Sequence, residues 1–135
     1  MLENIFDEID LPVLGDDRGS LVAVESQISL PIDIVRTYYI FGTKIGVTRG
    51  NHAHHKLQQY MVCVAGSCDV LLDDGYREVT VNLDRPNRCI SINPMVWHSM
   101  SNFSTNTVIL VFADAVYDES DYIRDYSDFK KAVTL

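Results

Sequence analysis

No stretch of this chain is apolar for long enough to cross a membrane as a helix. The longest apolar run is Val108 to Ala113, far short of the roughly 20 residues a bilayer demands. There is no glycine-rich phosphate loop and little helical patterning, so the doubly wound nucleotide folds are poor candidates. Cysteine is scarce and odd in number, and Cys63, Cys68 and Cys89 all stand in apolar or strand-like text. That pattern excludes a disulfide framework and points to buried reduced thiols in a cytoplasmic protein. Met1 to Glu8 has no basic segment leading into an apolar one, so no signal peptide is expected. Positive charge is short as well: 11 Lys and Arg stand against 19 Asp and Glu, a net charge of −8. Such a chain repels a polyanion, so neither nucleic acid nor a membrane is expected as a partner. A small anionic ligand is a different matter, because two or three well-placed arginines suffice and the local field decides.

What the chain does have is the composition of an ordinary globular protein, 47% hydrophobic and 22% charged over 135 residues. That length predicts a single domain over residues 1–135. Short apolar-polar segments recur between turns. Ser20–Glu25, Ile34–Phe41, Gln58–Val64, Ser67–Leu72, Arg77–Leu83, Cys89–Ile92 and Thr107–Ala113 read as strands. Gly15 to Gly19 and Asp73-Asp74-Gly75 read as turns, the second as a hairpin. Only Ser120–Val133 mixes charges and apolar residues at helical spacing. Many short strands and one short C-terminal helix predict an all-β sandwich or small antiparallel barrel.

The chemistry concentrates in one place. Histidine is rare, four in all, yet three fall in Asn51-His52-Ala53-His54-His55. If this segment continues as an extended strand, His52, His54, Gln58 and Tyr60 share one face and His55, Leu57, Gln59 and Met61 the other. Polar groups gathered on one face are costly to bury without partners, so that face reads as the lining of a cavity. By the same alternation only one of Tyr38 and Tyr39 lines it. Tyr38 is the better candidate because it shares a face with Arg36.

Gly46, the five residues after it, His52-Ala53-His54, Gln58 or Gln59, and Gly66 follow the spacing of the first cupin motif. Pro94-Met95-Val96-Trp97-His98 with Asn102 resembles the second. Metal-binding cupins place a carboxylate where this chain has Gln58 and Gln59, and an amide is a weak ligand by comparison. A closer resemblance runs through Asp17 to Leu21, Arg36 to Phe41, Arg49 to His54, Val96-Trp97-His98, Tyr117 to Arg124 and Phe129 to Lys131. By these runs, which cover nearly the whole chain, it is similar to the sugar 3,4-ketoisomerases. These are metal-independent cupins acting on dTDP-4-keto-6-deoxyglucose.

The resemblance implies a cupin jelly roll, no cofactor, no metal, and a dTDP-linked keto-deoxysugar as substrate. It also implies a homodimer with exchanged N-terminal strands. On it, His52 is the base, His54 a relay or hydroxyl holder, Tyr38 an acid toward the carbonyl oxygen, and Arg49 a stabiliser of developing negative charge. Arg18, Arg36, Arg49 and Arg124 are candidates for the pyrophosphate, and Gln58, Tyr60 and His98 are further substrate-binding candidates. Arg18 with His98 is the pair expected to tip protonation at C4 toward the galactose configuration. Three readings stand beside this one: an epimerase of the same fold, a metal-dependent cupin built on the histidines, and a non-catalytic sugar-binding cupin. For the Tyr117-Asp118-Glu119 run the simpler reading is a capped helix start.

Overall fold

The computed structural model describes residues 4–134, and its elements are almost all strands. In chain order they are β1 (Glu8–Asp10), β2 (Leu14–Asp16), β3 (Gly19–Leu21), β4 (Arg36–Ile40), β5 (Arg49–His54) and β6 (Gln59–Ala65). There follow β7 (Cys68–Asp73), β8 (Glu78–Leu83), β9 (Arg88–Ile92), β10 (Trp97–Ser101), β11 (Val108–Ala113), β12 (Tyr122–Ile123) and the helix α1 (Tyr126–Val133). One five-stranded sheet has the order β1-β9-β6-β11-β4 and the other β12-β5-β10-β7-β8, while β2 and β3 pair only with each other. The pairings between named strands are antiparallel. Two such sheets face to face are the jelly-roll form of a cupin barrel.

The central strands β6 and β11 are apolar on both faces because both faces are covered. Met61, Cys63, Ile109 and Val111 turn inward, where they meet Val70, Leu72, Leu83, Ile90 and Ile92 in the core between the sheets. Tyr60, Val62 and Phe112 turn outward and are covered by Leu11, Leu30 and Ile32 from the N-terminal segment. On the other sheet, Trp97 faces out and is sealed by Phe129 of α1 together with Ile123 and Ala53. The β7–β8 turn forms where its chemistry predicts. The Asp74 carboxylate accepts the Tyr76 and Arg77 N–H groups, each at 2.9 Å. The cysteines are buried and unbridged.

The expected C-terminal helix from Ser120 begins instead at Tyr126, where Asp125 caps it by accepting the Asp128 N–H at 3.0 Å. The residues before it do something else. Asp118 caps a single 3₁₀ turn, Glu119–Asp121, and the chain then extends as β12. There Tyr122 pairs opposite His54 and Ile123 opposite Ala53. Burial of Ile123 and pairing with β5 override the local helical pattern.

Candidate active site

Between the sheets, bordering the apolar core at Met61 and Met100, lies a cavity of about 410 Å³. β5 and β10 bring His52 and His98 to its wall, with His54 packed against both and lining an adjoining cavity. The ring centroids of His52 and His98 are 4.6 Å apart, those of His52 and His54 5.1 Å, and those of His54 and His98 6.1 Å. A bulge sets the geometry of this wall. Gly50 has φ 93 and Asn51 φ 59, and the β5–β10 register jumps there, from His98 opposite His52 to Ser99 opposite Gly50. One extra residue flips the side-chain alternation, so Arg49 joins His52 on the cavity wall. A side chain at Gly50 would stand 3.0 Å from the His98 carbonyl oxygen, which reserves the position for glycine.

Burial shapes the electrostatics. It lowers the pKa of His52, with the Gly50 backbone opposing and Arg124 adding a smaller depression. His54 is pushed to about 4 by burial and by His52, against the pull of Asp121. His98 is pushed to about 3, again by burial first, although its Nδ1–H donates to the Val96 carbonyl at 3.2 Å. All three rings are therefore neutral at pH 7 and able to accept a proton. Tyr38 donates its hydroxyl to Gln59 Oε1 at 2.7 Å, and burial raises its pKa to about 12, so it remains a donor.

Arg36 lies over the Tyr38 ring at 5.1 Å, and Arg49 lines the same cavity. No carboxylate pairs with either among the described residues. Arg124 sits over the Tyr122 ring at 4.2 Å, held by both carboxylate oxygens of Glu119 at 2.8 and 2.9 Å. That pairing holds the Glu119 carboxyl at about 2. A second cavity of about 270 Å³ adjoins the first through Arg36 and Tyr122 and is lined also by His54, Lys56 and Asp121.

His52, His54, His98, Tyr38, Arg36, Arg49 and Arg124 thus come together as the residue pattern suggested, but three candidates do not. Gln58 turns away and donates to Asn93 Oδ1 at 3.0 Å. Tyr60 is buried on the outer face against the N-terminal segment. Their places are taken by Gln59 and Met61. The alternation from His52 does not carry across His55–Gln58, because the chain crosses there from one sheet to the other and the phase restarts at β6. Arg18, 87% exposed on the β2–β3 hairpin, pairs with Asp16 at 2.5 Å and lines neither cavity. Tyr122, Asp121 and Met100 were not singled out from the sequence. The acid-rich run that carries the first two was the available signal.

The ring nitrogens of the three histidines lie within 4.8 Å of one another, the one such group of possible metal donors found among the described residues. Of the two amides at the motif's carboxylate position, Gln59 accepts the Tyr38 hydroxyl through its Oε1 and Gln58 bonds to Asn93, and an amide is a weak metal ligand.

Facing sheets enclosing imidazoles, a phenol and unpaired guanidiniums define a cupin whose interior is built for proton transfer on an anionic ligand. The family model described as "FdtA: WxcM-like, C-terminal" matches residues 6–134, and the chain belongs to that family. It is 50% identical over 125 residues to the TDP-4-oxo-6-deoxy-alpha-D-glucose-3,4-oxoisomerase of Aneurinibacillus thermoaerophilus, covering 93% of this chain and 90% of the relative. Among solved structures it resembles a 3,4-ketoisomerase from Helicobacter canadensis, with a TM-score of 0.93 and 39% identity over 96% of this chain and 97% of that one. It also resembles a variant of the 3,4-ketoisomerase QdtA from Thermoanaerobacterium thermosaccharolyticum in complex with TDP-4-keto-6-deoxyglucose. There the TM-score is 0.95 and the identity 34%, over 98% and 96% of the two chains.

Proposed function

We propose that this chain is a sugar-nucleotide 3,4-ketoisomerase that converts dTDP-4-keto-6-deoxyglucose to the 3-keto sugar without a metal or cofactor. The activity named for the relatives supports the reaction class. The observation that carries the mechanism is a neutral His52 on the cavity wall, facing Tyr38 and flanked by the unpaired Arg36 and Arg49. His52 takes the C3 proton, and the C–H electron pair becomes the C3–C4 double bond of an enediol. Tyr38 supplies a hydrogen bond to the C4 oxygen, and Arg49 stabilises the charge that develops there. Protonation at C4, transfer of the Tyr38 hydroxyl proton to O4 and return of the O3 proton to Tyr38 complete the isomerisation, so two protons leave the sugar and two arrive. Arg36 and Arg124 are assigned to the pyrophosphate, where a planar guanidinium meets phosphate oxygens in pairs.

The galactose-configured product is assigned to His98 together with Arg18. Arg18 reaches a cavity only if the β2–β3 arm leaves its own subunit. Val13, Leu14 and Leu21 on that arm are 52 to 57% exposed, which favours a homodimer with exchanged N-terminal arms. The chain acts as one domain, and its three unbridged thiols fit the cytoplasm. A 3-keto product suits an aminotransferase, which places the enzyme in amino-deoxysugar synthesis for a cell-surface polysaccharide or glycosylated metabolite.

The test is to incubate the metal-stripped protein with dTDP-4-keto-6-deoxyglucose in heavy water and follow the sugar by NMR. Deuterium at C4 with the ketone at C3 is expected, and the couplings report the C4 configuration. Exchange at C3 and C5 with the ketone still at C4 would mean an epimerase. Activity that returns only with added zinc or iron would make the histidines ligands, and binding without any exchange would leave a sugar-binding protein.

A further inference from the structure

One acid beside the histidines contacts none of the groups assigned to phosphate or sugar. Asp121 closes the 3₁₀ turn before β12, and its carboxylate accepts the N–H groups of Lys56 at 2.9 Å and Leu57 at 3.1 Å. Its backbone carbonyl accepts the His55 N–H at 3.0 Å. The carboxylate is thus fixed against the turn that follows His54. Its Oδ2 stands 3.4 Å from His54 Nδ1, within ion-pair distance of a buried nitrogen that has no hydrogen-bond partner. Asp121 also lines the second cavity, whose 270 Å³ far exceeds the roughly 10–15 Å³ that one water needs. The carboxylate therefore touches a buried imidazole on one side and a space that admits water on the other. His54 in turn meets His52 edge-on, with ring nitrogens within 4.8 Å, a span that one water bridges.

We propose that Asp121 is a positioning residue: it holds His54 as the Nδ1–H tautomer and opens a proton exit from the reaction cavity, through His52 and His54, to water in the adjoining cavity. A carboxylate on one ring nitrogen fixes which nitrogen is free to accept, and here the free one is Nε2. This rests on the ketoisomerase reading and adds the fate of the proton. The C3–H bond breaks, its electrons form the enediol double bond, and the proton reaches His52. His52 passes it to His54 Nε2 as the Nδ1 proton moves to Asp121, and Asp121 returns to carboxylate by protonating water. A second proton enters by the reverse route for C4, so one leaves, one arrives, and charge balances. Without the exit, the C3 proton stays on the imidazole pair and returns to the same sugar.

The experiment uses substrate deuterated at C3, in ordinary water, and reads the fraction of product carrying deuterium at C4. The wild-type protein is expected to wash the label out. Asp121→Asn, which keeps the size and one acceptor for the turn, is expected to raise C4 deuterium at least threefold. It is also expected to lower kcat by about tenfold at little-changed KM. His54→Gln removes the relay while leaving Asp121 on its turn, and carries the test if the first variant does not fold. It is expected to shift the partition in the same direction. A wild-type partition in a folded Asp121→Asn, even at reduced kcat, would overturn the relay, as would a wild-type partition in His54→Gln. A wild-type protein that moves no carbonyl would instead overturn the ketoisomerase reading, and the relay with it.

Discussion

The two ends of the space between the sheets are built from the same alternating strands and filled in opposite ways. At one end Cys63, Cys68, Val81 and Leu83 make a dry core, each at most 4% exposed. At the other, His52, His98, Tyr38 and two arginines on β4, β5 and β10 line one cavity and His54 lines its neighbour. The apolar end stabilises the fold. The polar end buries imidazoles and leaves Nδ1 of His52 without a hydrogen bond and that of His54 facing only the Asp121 carboxylate at 3.4 Å, which costs stability and prepares a base. A small barrel tolerates such a site because the dry half carries the folding free energy.

Substitutions at the two ends should therefore part company. The largest effect expected is on rate: His52→Asn should lower kcat by about 10²- to 10⁴-fold, with an unchanged or raised melting temperature. A parallel loss of stability would show that the polar end also holds the fold. Leu83→Ala, at 0% exposure and opposite Cys68, should do the opposite and cost roughly 2–5 kcal/mol in urea unfolding. The folded fraction should keep its turnover.

The pH dependence of stability sharpens the contrast further. His54 and His98 titrate near 4 and 3 in the folded protein, against an ordinary value near 6.5. Between those values the unfolded chain binds more protons, so stability should fall as pH drops from about 6.5 toward 4. The slope should approach roughly 1 kcal/mol per pH unit for each ring. His98→Asn should flatten it, and an equal slope in that variant would contradict the burial of a neutral ring. The smallest effect belongs to Arg18→Ala, exposed and paired only with Asp16. It should leave the melting temperature of the monomer essentially unchanged. A change in its product ratio would tie the arm to a neighbouring copy's cavity.

Much of the site was legible because the residues that carry it are rare. Histidine clusters at one strand, and the segments around it match a family in order and spacing. The Tyr38 choice over Tyr39 followed from alternation within one strand; both residues border the cavity, but Tyr38 bonds to Gln59 inside the barrel while Tyr39 is 64% exposed. Gln58 and Tyr60 were misplaced because alternation was carried past the end of β5 into a strand of the other sheet. Arg49 reaches the wall only because the Gly50–Asn51 bulge adds a residue, and neither residue alone announces a bulge. Asp121 and Tyr122 lay in a run whose local pattern reads as helix. Their place beside His54 exists because β12 pairs with β5 across some 70 positions of chain.

By itself, then, the sequence determined the all-β class, the free thiols, the absence of a helix-spanning segment and the identity of the three imidazoles. These depend on composition, on periodicity within single strands and on residue types that chemistry uses sparingly. The tertiary structure alone decided which of Gln58 and Gln59 meets Tyr38, which face Tyr60 takes, and which acid stands behind His54. Each of these depends on the register between strands distant in sequence. Register is set by summed burial and pairing over whole sheets, and no local pattern records that sum.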